Sequence, residues 1–195
     1  MSRRLRSSSL LALLALAALL LGACGSSHTR VTTGTYAGEN GAGAPYLNVG
    51  PLVYEVQQSR QLSPFDSEDA NYLQGISRAQ RTLPPGEEWF AVFLQVFNNT
   101  DTPYPSASEV VLVDTENNVY TPLTLEATNE YAYRPKNVPG RGRLPELDTV
   151  AAEGPTQGAL LLYKIKTVSL QNRPLTIKIV DPIDSTETAS AELDV

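Results

Sequence analysis

Eight of nine consecutive residues are apolar in Trp89-Phe90-Ala91-Val92-Phe93-Leu94-Gln95-Val96-Phe97. Its alternate residues are apolar on both faces: Phe90, Val92, Leu94 and Val96 on one, and Trp89, Ala91, Phe93 and Phe97 on the other. A strand that is apolar on both faces is covered by protein on both faces. The sequence therefore predicts a central β-strand here, which ends in turn-forming residues at positions 98–103.

Other segments alternate apolar and polar residues with the period of a strand. Before the central strand, residues 46–49 and 52–57 show this pattern on either side of a break at Gly50-Pro51. After it, the segments with strand patterns are 109–114, 119–122, 158–166, 175–180 and 189–195, the last predicted as a terminal edge strand. Asn117-Asn118 suits a tight hairpin, because Asn tolerates positive φ. We therefore predict an all-β sandwich.

Three segments after residue 60 lack a clear strand pattern. Within residues 63–88, the acidic positions 66–69 suit the beginning of one short helix at about residues 67–73. Residues 125–133 are ambiguous between strand and loop. Residues 135–145, rich in Pro and Gly, are predicted to form a loop.

The N-terminal part of the chain has the organisation of a targeting segment. A basic head at residues 2–6 precedes a Leu/Ala run of about 12 residues, whereas a membrane-spanning helix needs roughly 20. Leu21-Gly22-Ala23-Cys24 follows, and it resembles the lipobox of bacterial lipoproteins. The resemblance implies that residues 1–23 are removed and that Cys24 carries lipid. We expect attachment to the extracytoplasmic face of a bacterial cell membrane, with an ordinary signal peptide and an unmodified Cys24 as the alternative.

Composition divides the chain into a signal peptide at residues 1–23, a flexible tether at 24–45 and a folded domain at 46–195. The tether is rich in Gly, Ser and Thr and has too few apolar groups to offset its ordering entropy. Without the three arginines of the head, the chain has 12 Lys and Arg against 21 Asp and Glu, a formal charge of −9. An acidic surface argues against nucleic acid as a partner.

The folded domain resembles the telokin-like, immunoglobulin-like domain of actinobacterial lipoproteins and secreted antigens. The likeness extends over residues 52–181 and lies in Trp89-Phe90-Ala91-Val92, Asn98-Asn99-Thr100, Leu112-Val113-Asp114, Val119-Tyr120-Thr121-Pro122, Gly158-Ala159-Leu160-Leu161-Leu162-Tyr163 and Leu175-Thr176-Ile177. It implies an immunoglobulin-like antiparallel β-sandwich of about seven or eight strands, exported and often lipid-anchored, with no common activity. Since Cys24 is the single cysteine, the sandwich has no disulfide.

The chain lacks the residues of the common catalytic and metal sites. The single histidine, His28, lies in the predicted tether, and Cys24 is assigned to lipidation, so Ser-His and Cys-His pairs are excluded. The single methionine, Met1, is lost with the signal peptide, which excludes a soft-ligand copper site. We therefore expect a protein that is not an enzyme and that holds no metal and no cofactor.

Acidic residues leave two alternatives open. Two clusters offer oxygen ligands of the kind that Ca²⁺ takes: Asp66, Glu68 and Asp69, and Asp114, Glu116 and Asn117. A helix start and a hairpin turn explain the same residues without a metal. Paired carboxylates could also serve a hydrolase of envelope polymers, although the sequence places no such pair in a cleft.

Two pairs of side chains are the candidate partner surface. Arg141 and Arg143 form a concentrated basic spot in an acidic domain and could hold an anionic ligand; a solvated loop is the alternative. Tyr131 and Tyr133 could offer contact area to carbohydrate or protein, or could cover the edge of the core. We predict a lipid-anchored binding or scaffolding module at the cell envelope, whose partner is an envelope protein or glycan. The alternatives are a carboxylate-dependent hydrolase and a weak calcium-binding module.

Overall fold

The computed structural model describes residues 31–36, as backbone alone, and residues 46–193. The predictions for Leu21, Gly22, Ala23, Cys24 and His28 therefore lie outside the described residues. None of the helices in the described ranges has the length and apolar character needed to cross a membrane.

The described residues form a β-sandwich. Its strands are β1 (Val31–Tyr36), β2 (Tyr46–Val49), β3 (Leu52–Leu62), β4 (Glu87–Asn98), β5 (Tyr104–Pro105), β6 (Val110–Val113), β7 (Val119–Tyr120), β8 (Asn137–Val138), β9 (Arg143–Leu144), β10 (Ala159–Lys166), β11 (Leu175–Val180) and β12 (Thr188–Leu193). Short helical segments are α1 (Asp69–Tyr72), α2 (Val150–Glu153) and a 3₁₀ turn (Thr167–Leu170). Eight of the described strands have four or more residues, and the others have two.

Strand pairing arranges these elements in two main sheets. The first sheet has the order β1-β12-β11-β6-β7, and the second has the order β10-β4-β3-β2, with β9 also paired to β4. Strands β5 and β8 form a separate two-stranded ladder. Within the described part, the pairs are antiparallel except β1–β12. The predicted fold class, an all-β immunoglobulin-like sandwich without a disulfide, is confirmed.

Strand β4 is covered on both faces, as its sequence predicts. Phe90, Val92 and Leu94 are fully buried between the sheets, while Ala91 and Phe93 are fully buried on the opposite face. We call the first group the inter-sheet cluster, whose further members include Tyr54, Leu112, Tyr163, Ile177 and Ala191. We call the second the outer cluster, which consists of Leu62, Tyr72, Ile76, Trp89, Ala91, Phe93, Leu125, Leu160 and Leu162.

The outer cluster is covered by segments that are not strands. We call residues 63–88, which lead from β3 into β4, the insertion. Tyr72 and Ile76 come from it, and Leu125 comes from the segment after β7. The short helix predicted in the insertion is present as α1, and Asp66 Oδ1 accepts the backbone N–H groups of Glu68 and Asp69 at 2.8 and 3.4 Å. The insertion is therefore the cover of the second sheet rather than a surface addition.

A β-bulge in β3 decides which residues face each cluster. The register against β4 shifts between Val56, opposite Leu94, and Gln58, opposite Phe93. Because side chains alternate across a strand, the extra residue reverses the facing of everything after it. Leu62 joins the outer cluster, whereas Tyr54 and Val56 join the inter-sheet cluster. Without the bulge, Arg60 would face the interior of the sandwich.

The prediction of a tether over residues 24–45 is wrong for Val31–Tyr36, which forms β1. This strand pairs in parallel with β12, from Val31 opposite Thr188 to Tyr36 opposite Leu193. Strand β12 therefore lies between β1 and β11 and is not the edge strand predicted for residues 189–195. Apolar content alone could not indicate this, because the backbone groups of a sheet edge can pair with a segment of almost any composition.

The prediction of a loop over residues 135–145 is wrong at two places. Asn137–Val138 pairs with β5, and Arg143–Leu144 pairs with Val96 and Phe97 of β4. Val138 and Leu144 are buried in the inter-sheet cluster, and these two anchors order a segment that is otherwise typical of a loop. Residues 125–133 form no regular strand; they run beside β10 with a single bridge from Ala132 to Leu160.

Candidate functional site

The two predicted tyrosines pack against the hydrophobic clusters. Tyr131 packs edge-on against Tyr72 of the outer cluster, with ring centroids 4.8 Å apart. Tyr133 packs against the inter-sheet cluster, and its hydroxyl donates to the Ala107 carbonyl at 2.8 Å. Burial raises the pKa of Tyr133 to about 12, although hydrogen bonds with Ser106 and Tyr54 lower it in part. Both rings are therefore packing elements, the alternative that the sequence left open.

Arg141 and Arg143 line a surface cavity of about 360 Å³, which we call the arginine cavity. Its other walls include Phe97, Asn99, Pro139, Glu146 and Leu147. Arg141 is exposed, and its Nε donates to Asp101 Oδ1 at 2.8 Å. The structure brings the two arginines to this cavity, whereas Tyr133 lines two neighbouring cavities and Tyr131 lines none of the three.

Arg143 is a half-buried cation without an anionic partner. It lies opposite Phe97 in the β4–β9 pair, with its Cζ 5.6 Å from the centroid of the Phe97 ring, a cation–π distance. No carboxylate among residues 46–193 lies within ion-pair distance of its guanidinium, and its buried Nε has no hydrogen-bond partner there. In an acidic protein, such a cation is available to an external anion.

Backbone contacts fix the loop that carries these arginines. The Arg141 N–H donates to the Thr100 carbonyl at 2.8 Å, and the Asn98 N–H donates to the Gly142 carbonyl at 2.9 Å. At Gly140, a Cβ atom would lie 2.2 Å from the Asp101 carbonyl oxygen, so only glycine permits this approach. Backbone contacts therefore hold the loop that carries both arginines against the end of β4 and the turn that follows it.

A cavity of about 460 Å³ opens between β6 and β10, where the sandwich is not closed. Tyr120 is the last residue of β7 opposite β6, and the following Pro122 has no N–H to continue the ladder. The chain instead crosses to the other sheet, where the Leu123 N–H donates to the Leu162 carbonyl at 2.7 Å. This crossing leaves the 460 Å³ cavity open beside Val110 and Val111.

A third cavity, of about 270 Å³, adjoins the other two. It shares Ala132, Tyr133 and Arg134 with the 460 Å³ cavity, and it shares Glu146 with the arginine cavity. The three form one concave surface around residues 129–147, which we call the cavity band. Four cations line the band, Arg134, Lys136, Arg141 and Arg143, together with three carboxylates, Glu109, Glu130 and Glu146. The cations are concentrated in residues 134–145, which contain no Asp or Glu, in a chain of net charge −6.

Three polar residues to which sequence reasoning assigned no role of their own build this surface. Asn129, which is buried, donates from Nδ2 to the carbonyls of Tyr72 and Gln74 at 3.0 and 2.8 Å. Arg134 donates to the carbonyls of Leu125 and Glu126, at 3.2 and 2.7 Å, and also to that of Asn129. Lys136 forms an ion pair with Glu146. The run of four cations in residues 134–145 was the signal that could have indicated the band.

The carboxylates proposed as calcium ligands accept protein hydrogen bonds. Asp69 accepts from the Ser63 N–H at 2.8 Å and pairs with Arg60 at 2.6 Å. Asp114 accepts from the backbone N–H groups of Glu116 and Asn118 at 3.0 and 2.8 Å, and from Ser169 Oγ at 2.7 Å. Within the two described ranges, no group of three or more His, Cys, Asp and Glu is placed to hold a metal ion.

A hydrolase would need a carboxyl group with a raised pKa as its general acid. Glu130 and Glu146 both line the 270 Å³ cavity, which makes them the pair to consider. The hydrogen bond and the positive charge of Lys136 lower the pKa of Glu146. Glu146 is therefore held in the ionised form, opposite to what the acid role requires.

Comparison with known proteins gives a likeness of fold. No family model matches the chain, and no curated protein matches it in sequence. A solved structure similar to it is the YjhA protein of Bacillus subtilis, with a TM-score of 0.52 and 10% sequence identity over 83% of this chain and 99% of that chain. Another is an uncharacterized β-sandwich protein of Clostridium difficile 630, with a TM-score of 0.42 and 6% identity over 85% and 96% of the two chains. At these identities, what the chain shares with the YjhA protein is its fold.

Proposed function

We propose that this protein is a lipid-anchored extracytoplasmic module that binds or scaffolds an envelope protein or glycan through the cavity band and catalyses no reaction. The band is the observation that carries the proposal, because it joins cavities of about 270, 360 and 460 Å³ on one concave surface lined by both cations and carboxylates. Concave sites of several hundred Å³ with a few convergent polar groups are typical of ligand binding. The resemblance to domains of actinobacterial lipoproteins supports the envelope location.

The anchor rests on Leu21-Gly22-Ala23-Cys24 and on the basic and apolar segments before it. Two or more acyl chains hold a protein at a membrane, where a single chain binds reversibly. Cys24→Ala should therefore release the protein into the soluble fraction or leave an uncleaved precursor, whereas Ser26→Ala should change neither. Fractionation and the mass of the mature chain measure this. Normal cleavage with unchanged membrane retention in Cys24→Ala would contradict the anchor.

The binding surface is tested by site-specific photo-crosslinking in cells. Lys136 in the cavity band and Lys178 on β11 are both exposed lysines, but Lys178 lies on the outer face of the first sheet. A photo-reactive residue at position 136 should give discrete adducts, while the same residue at position 178 should not. Equal adducts at both positions would show that the band is not the partner surface.

A further inference from the structure

One end of the sandwich carries both the beginning of β1 and the arginine cavity. Val31 lies opposite Thr188, next to Glu187, whose Oε2 accepts the Gly50 N–H at 3.0 Å. The following strand β3 begins at Leu52, opposite Asn98, and Asn98 lines the arginine cavity. The first described residue of the domain and the arginine cavity are therefore at the same end.

The chain length before β1 limits how far this end can lie from the membrane. Six residues, 25–30, separate Cys24 from Val31. Seven Cα–Cα steps span at most about 25 Å, whereas a tether extending to residue 45 would span roughly 75 Å. If Cys24 carries lipid, as the proposed function holds, the arginine cavity lies within reach of the headgroups.

The charges at the arginine cavity match a monoanionic ligand. Arg141 is paired with Asp101, and Glu146 is paired with Lys136, which leaves the charge of Arg143 uncompensated. Leu147, on the cavity wall, is 64% exposed and presents an apolar group to an interface. The acidic turn with Asp184 and Glu187 is at the same end but joins β11 to β12 in the other sheet. The uncompensated positive charge is therefore confined to the arginine cavity and does not extend over the whole end of the domain.

We propose that the arginine cavity binds the phosphodiester of anionic phospholipid headgroups, and so orients the anchored domain on the membrane. This inference rests on the lipid anchor of the proposed function. A guanidinium offers paired N–H donors to phosphate oxygens, and basic residues next to a membrane are attracted by anionic lipids. The contact leaves the other two cavities of the band for the envelope partner.

Energy transfer from a label beside the cavity tests the proposal in the full lipidated chain. Asn99→Cys places a fluorophore on the cavity wall, and Val168→Cys places the same fluorophore on the exposed 3₁₀ turn at the opposite end. Both proteins are reconstituted into phosphatidylcholine vesicles with increasing phosphatidylglycerol and an acceptor dye on the headgroups. Transfer from position 99 should rise with phosphatidylglycerol, and transfer from position 168 should stay low.

Arginine variants separate recognition from anchoring. Arg141→Gln and Arg143→Gln should each raise the phosphatidylglycerol content at half-maximal transfer about five-fold, whereas Arg78→Gln, an exposed arginine of the insertion, should not. Arg141 is 67% exposed at its side chain, so its variant keeps the fold, and thermal unfolding checks this. Equal transfer from both labels, or no dependence on phosphatidylglycerol or the arginines, would overturn the proposal. So would the same response to free glycerophosphoglycerol in phosphatidylcholine vesicles. Loss of vesicle retention in every lipid would instead refute the anchor.

Discussion

The inter-sheet cluster and the outer cluster share strand β4 but are closed in different ways. The inter-sheet cluster lies between two sheets and receives residues from strands along the whole domain, from Leu47 to Leu193. The outer cluster has one sheet as its floor, while α1 and the segments around Ile76 and Leu125 form its cover. One core is closed by strand pairing, and the other is closed by irregular chain.

Polar side chains hold the irregular cover in place. Asn129 ties the segment after β7 to the carbonyls of Tyr72 and Gln74, and Arg60 pairs with the buried Asp69 at 2.6 Å. A buried polar group that loses its hydrogen-bond partner costs free energy. The stability of the cover therefore depends on these few polar contacts. We therefore expect the outer cluster to open by local unfolding, whereas the inter-sheet cluster should unfold only with the whole domain.

Two phenylalanines of β4, three positions apart and on opposite faces, give the largest test of this difference. Phe90 and Phe93 are both fully buried, in the inter-sheet and the outer cluster respectively. Phe90→Ala should lower the free energy of unfolding by about 3–5 kcal/mol, because the paired sheets cannot move into the cavity. Phe93→Ala should cost no more than about 3 kcal/mol, since the cover can collapse. Urea denaturation measures both, and equal losses would show that the outer cluster is as rigid.

The side chain of Asn129 gives the second test. Asn129→Ala removes donors to two carbonyls and should cost about 2 kcal/mol. The exposed Asn71, which accepts from Gln74 Nε2 at 3.1 Å, is the control, and Asn71→Ala should change the free energy of unfolding by less than about 0.5 kcal/mol. Hydrogen exchange should accelerate in residues 63–88 and not in β11. Uniform acceleration over both sheets would mean that the two clusters open together.

The buried carboxylate of Asp114, at one end of the inter-sheet cluster, should make the stability of the fold sensitive to acid. Burial raises the pKa of Asp114, but hydrogen bonds from Ser169, Asn118 and Glu116 outweigh this and lower it from 3.8 to about 2. A lowered folded-state pKa stabilises the fold above the unfolded value, and this stabilisation is lost as the pH falls from about 4 through 2. The loss should be about 1–2 kcal/mol, reduced by solvent screening.

Chemical denaturation between pH 5 and pH 2 measures this loss. Asp114→Asn should remove the acid-dependent component, and Ser169→Ala should reduce it, since it removes one donor. The side chain of Asn129, which is neutral at every pH, should contribute nothing to the acid-dependent part of the free energy of unfolding. Parallel stability curves for the native chain and Asp114→Asn would contradict the assignment.

The hydroxyl of Tyr120, which contacts the Ser169 that donates to Asp114, should make the smallest contribution to stability. Tyr120 packs against the inter-sheet cluster, and its hydroxyl lies 2.7 Å from Ser169 Oγ. Tyr120→Phe should cost about 0.5–1 kcal/mol, because the ring stays and one hydrogen bond is lost. Tyr46, 65% exposed on β2, is the matched control, and Tyr46→Phe should be neutral. A neutral Tyr120→Phe would mean that solvent replaces this hydrogen bond without cost.

Local sequence patterns were enough to predict the sandwich, the central strand with its two apolar faces, the short helix and the hairpin at Asn117. These features depend on the alternation of neighbouring residues and on the φ preference of single residues, which are local properties. Asn117, for example, has φ +63° at the predicted hairpin turn. Arg141 and Arg143 line one cavity for an equally local reason, because they are two positions apart in the chain.

Other features depend on contacts between residues that are distant in the chain, and these became visible in the folded domain. The parallel pairing of β1 with β12, the reversal of facing after Val56 and the use of Tyr131 and Tyr133 as packing groups each require a surface from another part of the chain. The same holds for the position of the arginine cavity at the end where β1 begins. Composition and periodicity indicate which apolar surface and which hydrogen-bonding groups a segment offers. The partners of those groups depend on which other segments pack against it in the folded domain.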